Sequence, residues 1–139
     1  MRILGLHHVA FAHGKDSVAV EGLVNCLGLE VGHVENGEGF IERMLPVAGG
    51  TYIQTLESTG PGIVERFVDR RGSSLHHIAF EVDNIEAAVK ELQARGISLV
   101  DEQPQSGGMG TRVVFAQPAS FGGLLVELVE SSEEDGGLS

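Results

Sequence analysis

Leu6-His7-His8-Val9-Ala10-Phe11-Ala12 recurs, about half the chain later, as Leu75-His76-His77-Ile78-Ala79-Phe80-Glu81. A seven-residue match in the same order points to an internal duplication, and the sequence downstream of each copy supports it. Each copy is followed by a helix-like stretch and a glycine-bounded strand signal, Cys26-Leu27-Gly28-Leu29-Glu30-Val31 in the first and Arg95-Gly96-Ile97-Ser98-Leu99-Val100 in the second. Each then closes on a strand ending in an acid, Thr51-Tyr52-Ile53-Gln54-Thr55-Leu56-Glu57 and Leu124-Leu125-Val126-Glu127-Leu128-Val129-Glu130.

In the second copy Asp83 is the expected helix N-cap, with Glu86 completing a capping box. Ile85, Ala88, Val89 and Leu92 fall on one helical face, and Gly96 supplies the stop. The first helix is expected from near Asp16 to Gly28. Strands are expected over about 29–35, 40–47 and 51–57, then about 97–102, 111–116 and 123–130. Gly49-Gly50 marks a hairpin turn, and Gly107-Gly108 lies in a loop. Each module therefore reads βαβββ. Ile63, Val64, Phe67 and Val68 give a short connecting helix ending near Gly72. The fold expected is α+β, two tandem βαβββ modules over residues 1–130 (about 4–58 and 75–130, joined by 59–74) forming one open, metal-holding β-cleft. Residues 131–139 are expected to be a disordered acidic tail.

Composition limits what such a protein does. The chain has 139 residues, 42% hydrophobic and 21% charged, which excludes a disordered acid-rich or collagen-like polymer. No apolar run approaches the ~20 residues that a membrane span needs. Twenty acidic residues against nine basic ones give a net charge of −11, and Arg70-Arg71 is the sole adjacent basic pair, so the charge needed to neutralise phosphates is lacking and no nucleic-acid partner is expected. The single cysteine, Cys26, allows no internal disulfide, and its apolar neighbours suggest a small core residue. That usage and the absence of a signal-like N-terminus lead to an expectation of the cytoplasm. Twenty glycines, about twice the usual share, announce many tight turns.

Alternation along a strand separates the paired histidines. His7, Val9 and Phe11 share one face, and His8, Ala10 and Ala12 the other; His76, Ile78 and Phe80 oppose His77 and Ala79 in the same way. If the bulky face packs under the helix, His8 and His77 look out across small alanines, and His7 and His76 are packing or supporting residues. On the closing strands, Gln54 sits amid Tyr52, Ile53 and Leu56, and Glu127 amid leucines and valines. A carboxylate there needs a compensating partner. A lone strand histidine is most often a hydrogen-bonded core residue, but two copies packed about a pseudo-twofold axis each deliver one histidine and one oxygen to a shared cleft. Two His, one Gln and one Glu suit a divalent metal such as Co, Mn, Ni or Zn.

Leu75 to Ile85, Leu99-Val100-Asp101-Glu102-Gln103-Pro104 and Gly122-Gly123-Leu124-Leu125-Val126-Glu127-Leu128 carry a resemblance to the vicinal oxygen chelate superfamily, which includes glyoxalase I, extradiol dioxygenases and bleomycin-resistance proteins. Within it the chain most resembles the methylmalonyl-CoA epimerase family, from about Leu6 to Glu130. The resemblance implies metal ligation by His8, Gln54, His77 and Glu127, and an acyl-CoA substrate whose C2 is inverted by proton abstraction through a metal-stabilised enolate. It also implies a homodimer. Glu127 and Glu42, the acid of Gly39-Phe40-Ile41-Glu42, are the implied acid–base residues. By position alone Glu35, Glu38 and Glu42 read as a solvated rim. The chain departs from the family at Gln117-Pro118-Ala119-Ser120, where His-Pro-Lys-Ser is usual, and at His7-His8, where Asp-His is usual. The alternatives are a glyoxalase-type isomerase on the same four ligands, an extradiol dioxygenase, for which Gln54 is superfluous, and a metal-free drug-binding protein, which wants more aromatic residues than one Tyr and six Phe.

Overall fold

A computed structural model describes residues 1–132, and residues 133–139, most of the expected tail, lie outside the described residues. Ser131, at its start, hydrogen-bonds to Glu81 through its hydroxyl at 3.0 Å. The elements follow the duplication: β1 (Ile3–His13), α1 (Ala19–Asn25), β2 (His33–Gly37), β3 (Phe40–Val47) and β4 (Thr51–Ser58), then α2 (Ile63–Arg71), then β5 (Ser74–Val82), α3 (Ile85–Ala94), β6 (Gln105–Ser106), β7 (Arg112–Ala116) and β8 (Val126–Glu130). The chain divides into two compact units, His8–His76 and Met1–His7 with His77 onward.

In the first unit the strand order is β2-β3-β4-β1. β2, β3 and β4 are antiparallel neighbours, and β1 runs parallel to β4. Gly49 and Gly50, both at positive φ, make the expected turn between β3 and β4. Ala10 and Ala12 are fully buried against Leu56 and, from α2, Val64 and Phe67. This corrects the expected facing: the small residues of β1, not the bulky ones, lie under a helix here, because alanines let α2 approach the strand closely. The same face in the next row of β1 carries His8, which is buried rather than open. α1 is shorter than the expected Asp16–Gly28 span and buries none of its side chains, so Cys26 beside it is exposed and not a core residue. The β2–β3 hairpin is held at its tip. Gly39, at φ +82°, has no room for a Cβ against the Pro61 carbonyl, and its own carbonyl accepts from the Thr59 amide at 2.8 Å.

In the second unit the order is β5-β8-β7-β6, with β5 parallel to β8 and the others antiparallel. α3 buries the four predicted residues Ile85, Ala88, Val89 and Leu92 against Val82, Val114, Val126 and Leu128, with Phe80 packed alongside. Its cap lies one residue later than expected: Asn84 Oδ1 accepts from the Ala87 amide at 2.9 Å. Asp83 instead accepts from the Arg2 amide at 2.8 Å, and that bond holds its carboxyl below the usual range. Glu86 pairs with Arg112 rather than closing a capping box, and its carboxyl is lowered for that reason. The N-terminal ammonium meets Glu91 at 2.6 Å and lowers it likewise.

Three strand expectations change. The segment 97–102 touches β7 through a single bridge, Leu99 to Ala116, and the two-residue β6 takes the edge position instead. The first module's second strand begins at His33 rather than near residue 29, and β8 begins at Val126 because Gly122 and Gly123 hold the preceding turn at positive φ.

Candidate metal and acid–base site

The register of each unit repeats one small pattern. In the first, Ala10 of β1 lies opposite Gln54 of β4, with His8 two residues before that alanine. In the second, Ala79 of β5 lies opposite Glu127 of β8, with His77 two residues before that alanine. Each unit thus sets one imidazole and one side-chain oxygen on the same face of neighbouring parallel strands. His8, Gln54, His77 and Glu127 are all buried, none more than 6% exposed.

Within the second unit His77 Nε2 lies 3.2 Å from Glu127 Oε1. The His77 ring stands edge-on to Phe115 at 5.2 Å between centroids, which fixes its plane. Glu127 is flanked by buried Val126, Leu128 and Val129, surroundings in which a carboxylate is costly unless a cation or strong donor faces it. Within the first unit the Gln54 amide donates through Nε2 to the Met44 sulfur, 3.4 Å away, which leaves Oε1 as its lone-pair atom. His76 is half-buried and meets Phe67 edge-on at 4.7 Å.

Glu42 lies opposite Leu56 on β3, two residues before Met44, which lies opposite Gln54. Alternation puts Glu42, Met44, Gln54 and Leu56 on one face. On the edge strand β2, Glu35 faces Glu42 and His33 faces Met44 across the pair, so both belong to that face as well. His33 Nε2 lies 2.7 Å from Glu35 Oε1. No local signal marks this pair; pairing register, which brings it beside Glu42, is not a local property. Ala119 is exposed, in the short turn Pro118–Phe121.

Buried His8 in the first unit, and buried His77 and Glu127 in the second, each offer a ligand atom of a kind that a divalent metal accepts. Residues 7–115 match the Glyoxalase/Bleomycin resistance protein/Dioxygenase superfamily, and the chain belongs to it, with the α+β glyoxalase fold of paired βαβββ modules. It is 34% identical over 128 residues to the mitochondrial methylmalonyl-CoA epimerase of Dictyostelium discoideum, covering 90% of this chain and 77% of that one. The crystal structure of methylmalonyl-CoA epimerase from Mycobacterium tuberculosis superposes with a TM-score of 0.88 at 30% identity, over 97% of this chain and 93% of that one. A methylmalonyl-CoA epimerase in complex with methylmalonyl-CoA and NH4+ gives 0.86 at 29% identity, over 95% and 97%. Within the superfamily the chain is a member of the methylmalonyl-CoA epimerase family, and so an isomerase.

Among the described residues, no helix is long and apolar enough to cross a membrane.

Proposed function

We propose that this protein is a metal-dependent epimerase that inverts C2 of methylmalonyl-CoA. The observation that carries the reading is the repeated donor pair, His8 with Gln54 and His77 with Glu127, in a chain about a third identical to epimerases of that substrate. On this reading the four side chains hold one divalent ion, Co, Mn, Ni or Zn. Neutral imidazole, amide oxygen and carboxylate are all ligands such ions accept. When bound, the ion supplies Lewis-acid stabilisation of the negative charge that the thioester gains as the neighbouring carbon loses its proton.

Inversion requires a proton to leave one face of C2 and return to the other, hence two acid–base groups. Glu42 is one: it shares a face with Gln54 yet stands in a different row, free of the role of ligand. Glu127 is the other, a carboxylate at the ion that takes or gives the proton on the opposite face. His77, oriented by Phe115, stands beside the Glu127 carboxylate as its fellow ligand. Ala119 removes one cation that the family offers to an acyl-CoA, so binding of the polyanionic carrier falls to other residues. A homodimer in the cytoplasm completes the reading, checked by sedimentation and by fractionation.

The test is proton exchange. Cobalt-loaded protein is incubated with methylmalonyl-CoA in deuterated water, and the C2 proton is followed by NMR beside a chelator-treated control. Metal-dependent loss of that signal with mixing of the two C2 epimers is expected. A persistent C2 signal in the loaded protein would overturn the substrate assignment.

A further inference from the structure

The row of side chains across β2, β3 and β4 runs Glu35, Glu42, Leu56 on one face, and the adjoining row runs His33, Met44, Gln54. Two carboxylates are thus directly opposed on an antiparallel pair, where facing Cβ atoms stand about 5 Å apart. Like charges in that position destabilise a sheet, and an edge strand has little reason to keep one there. The His33 imidazole, 2.7 Å from Glu35 Oε1, anchors the outer carboxylate. Glu35 and His33 are both half-exposed, with side chains 43% and 36% accessible, so neither is there to fill a core.

We propose that Glu35, held by His33, is a positioning residue for Glu42: its fixed negative charge strengthens Glu42 as a base and turns that carboxyl toward the row of Gln54. The inference rests on Glu42 being an acid–base group, as read above. A stronger base suits the task, since the proton beside a thioester is only weakly acidic and proton transfer improves as the base's affinity nears that demand. The other charged groups on elements packed against this face are Glu38 in the hairpin turn and Glu65 and Arg66 in the first turn of α2; Arg43 and Glu57, 3.0 Å apart, pair on the opposite face. Glu35 is the one that the register sets directly against Glu42.

The experiment compares E35Q, E35D, H33A and E42Q with the wild type. In each, the pH dependence of kcat for C2 proton exchange is measured on the loaded enzyme. The titration of the Glu42 carboxyl carbon is followed by NMR in the metal-free protein. Removing a negative neighbour lowers the proton affinity of Glu42. E35Q is therefore expected to move the acidic limb of kcat, and the Glu42 titration, to lower pH by about half to one unit. At the plateau the weakened base lowers kcat about threefold, with KM and metal content unchanged. E35D, which keeps the charge, restores the limb, and H33A, which keeps the carboxylate but releases it, moves the limb less than E35Q does. An E35Q profile and titration superimposable on the wild type would overturn the proposal. Full exchange in E42Q would instead overturn Glu42 as the base, and the two failures are told apart by that variant.

Discussion

The two modules share the proposed metal donors but not the proposed acid–base residues. Where β3 sets Glu42 opposite Leu56, β7 sets Val113 opposite Val129. Where β2 sets Glu35 opposite Glu42, the two-residue β6 sets Gln105 opposite Val113. Met44 beside Gln54 has its counterpart in Phe115 beside Glu127. The duplicated scaffold therefore repeats a histidine and an oxygen per module, as the proposed metal site asks, and departs from symmetry where the proposed chemistry has two unlike faces. One module gives a carboxylate separate from the donors. The other gives a carboxylate among them and walls it with apolar side chains.

That contrast breaks most visibly at the donors. His77→Ala is expected to lower metal affinity by at least about 100-fold, measured by equilibrium dialysis, since even residues supporting a ligand are worth 10–100-fold. An unchanged stoichiometry would dissolve the equivalence of the two donor pairs. Glu42→Gln is expected to keep the metal and lose about 10²–10⁴-fold in turnover, read from C2 exchange. Near-normal turnover would leave the modules chemically alike.

The helices sharpen the comparison in stability. Leu92→Ala, in the buried face of α3, is expected to cost about 2–5 kcal/mol by denaturant melts. Leu23→Ala, in α1, which buries no side chain, should cost about 1 kcal/mol or less. Equal costs would mean that α1 is far better anchored than its exposure suggests. The smallest effect concerns acid. Asp83 has its folded pKa depressed by the Arg2 amide, so its contribution is full above the ordinary carboxylate range and fades as pH falls through the lower folded value. Asp83→Asn should therefore lower the melting temperature at neutral pH and converge on the wild type in strong acid. Parallel curves across that range would exclude the link.

The duplication, α3 and the placing of one histidine and one oxygen on a shared face in each module were legible from local signals: His8 and His77 by alternation, Gln54 and Glu127 by polarity among apolar neighbours, Ile85 to Leu92 by helical period. The misreadings share a cause in tertiary context. The segment 97–102 has the composition of a strand but meets β7 at one bridge, leaving the ladder to Gln105 and Ser106. Asp83 and Asn84 are equally good caps by type, and the choice fell to Asn84 because the Arg2 amide engages Asp83. The covering of Ala10 and Ala12 by α2 depended on where a connector folds back, which alternation within β1 does not encode. Glu42 among its acidic neighbours was singled out by family likeness alone, and the His33–Glu35 pair by nothing short of the register.

The glycine at the hairpin tip has a consequence for how this protein tolerates change. Gly39 meets the Pro61 carbonyl with no space for a methyl group, and three residues later, within β3, comes Glu42. The hairpin that carries the acid is thus clasped main chain to main chain at a point devoid of chemistry of its own. A saturation library scored for growth would show a silent position as unforgiving as any ligand, because in this fold the accuracy of a functional group is inherited from an atom that is missing.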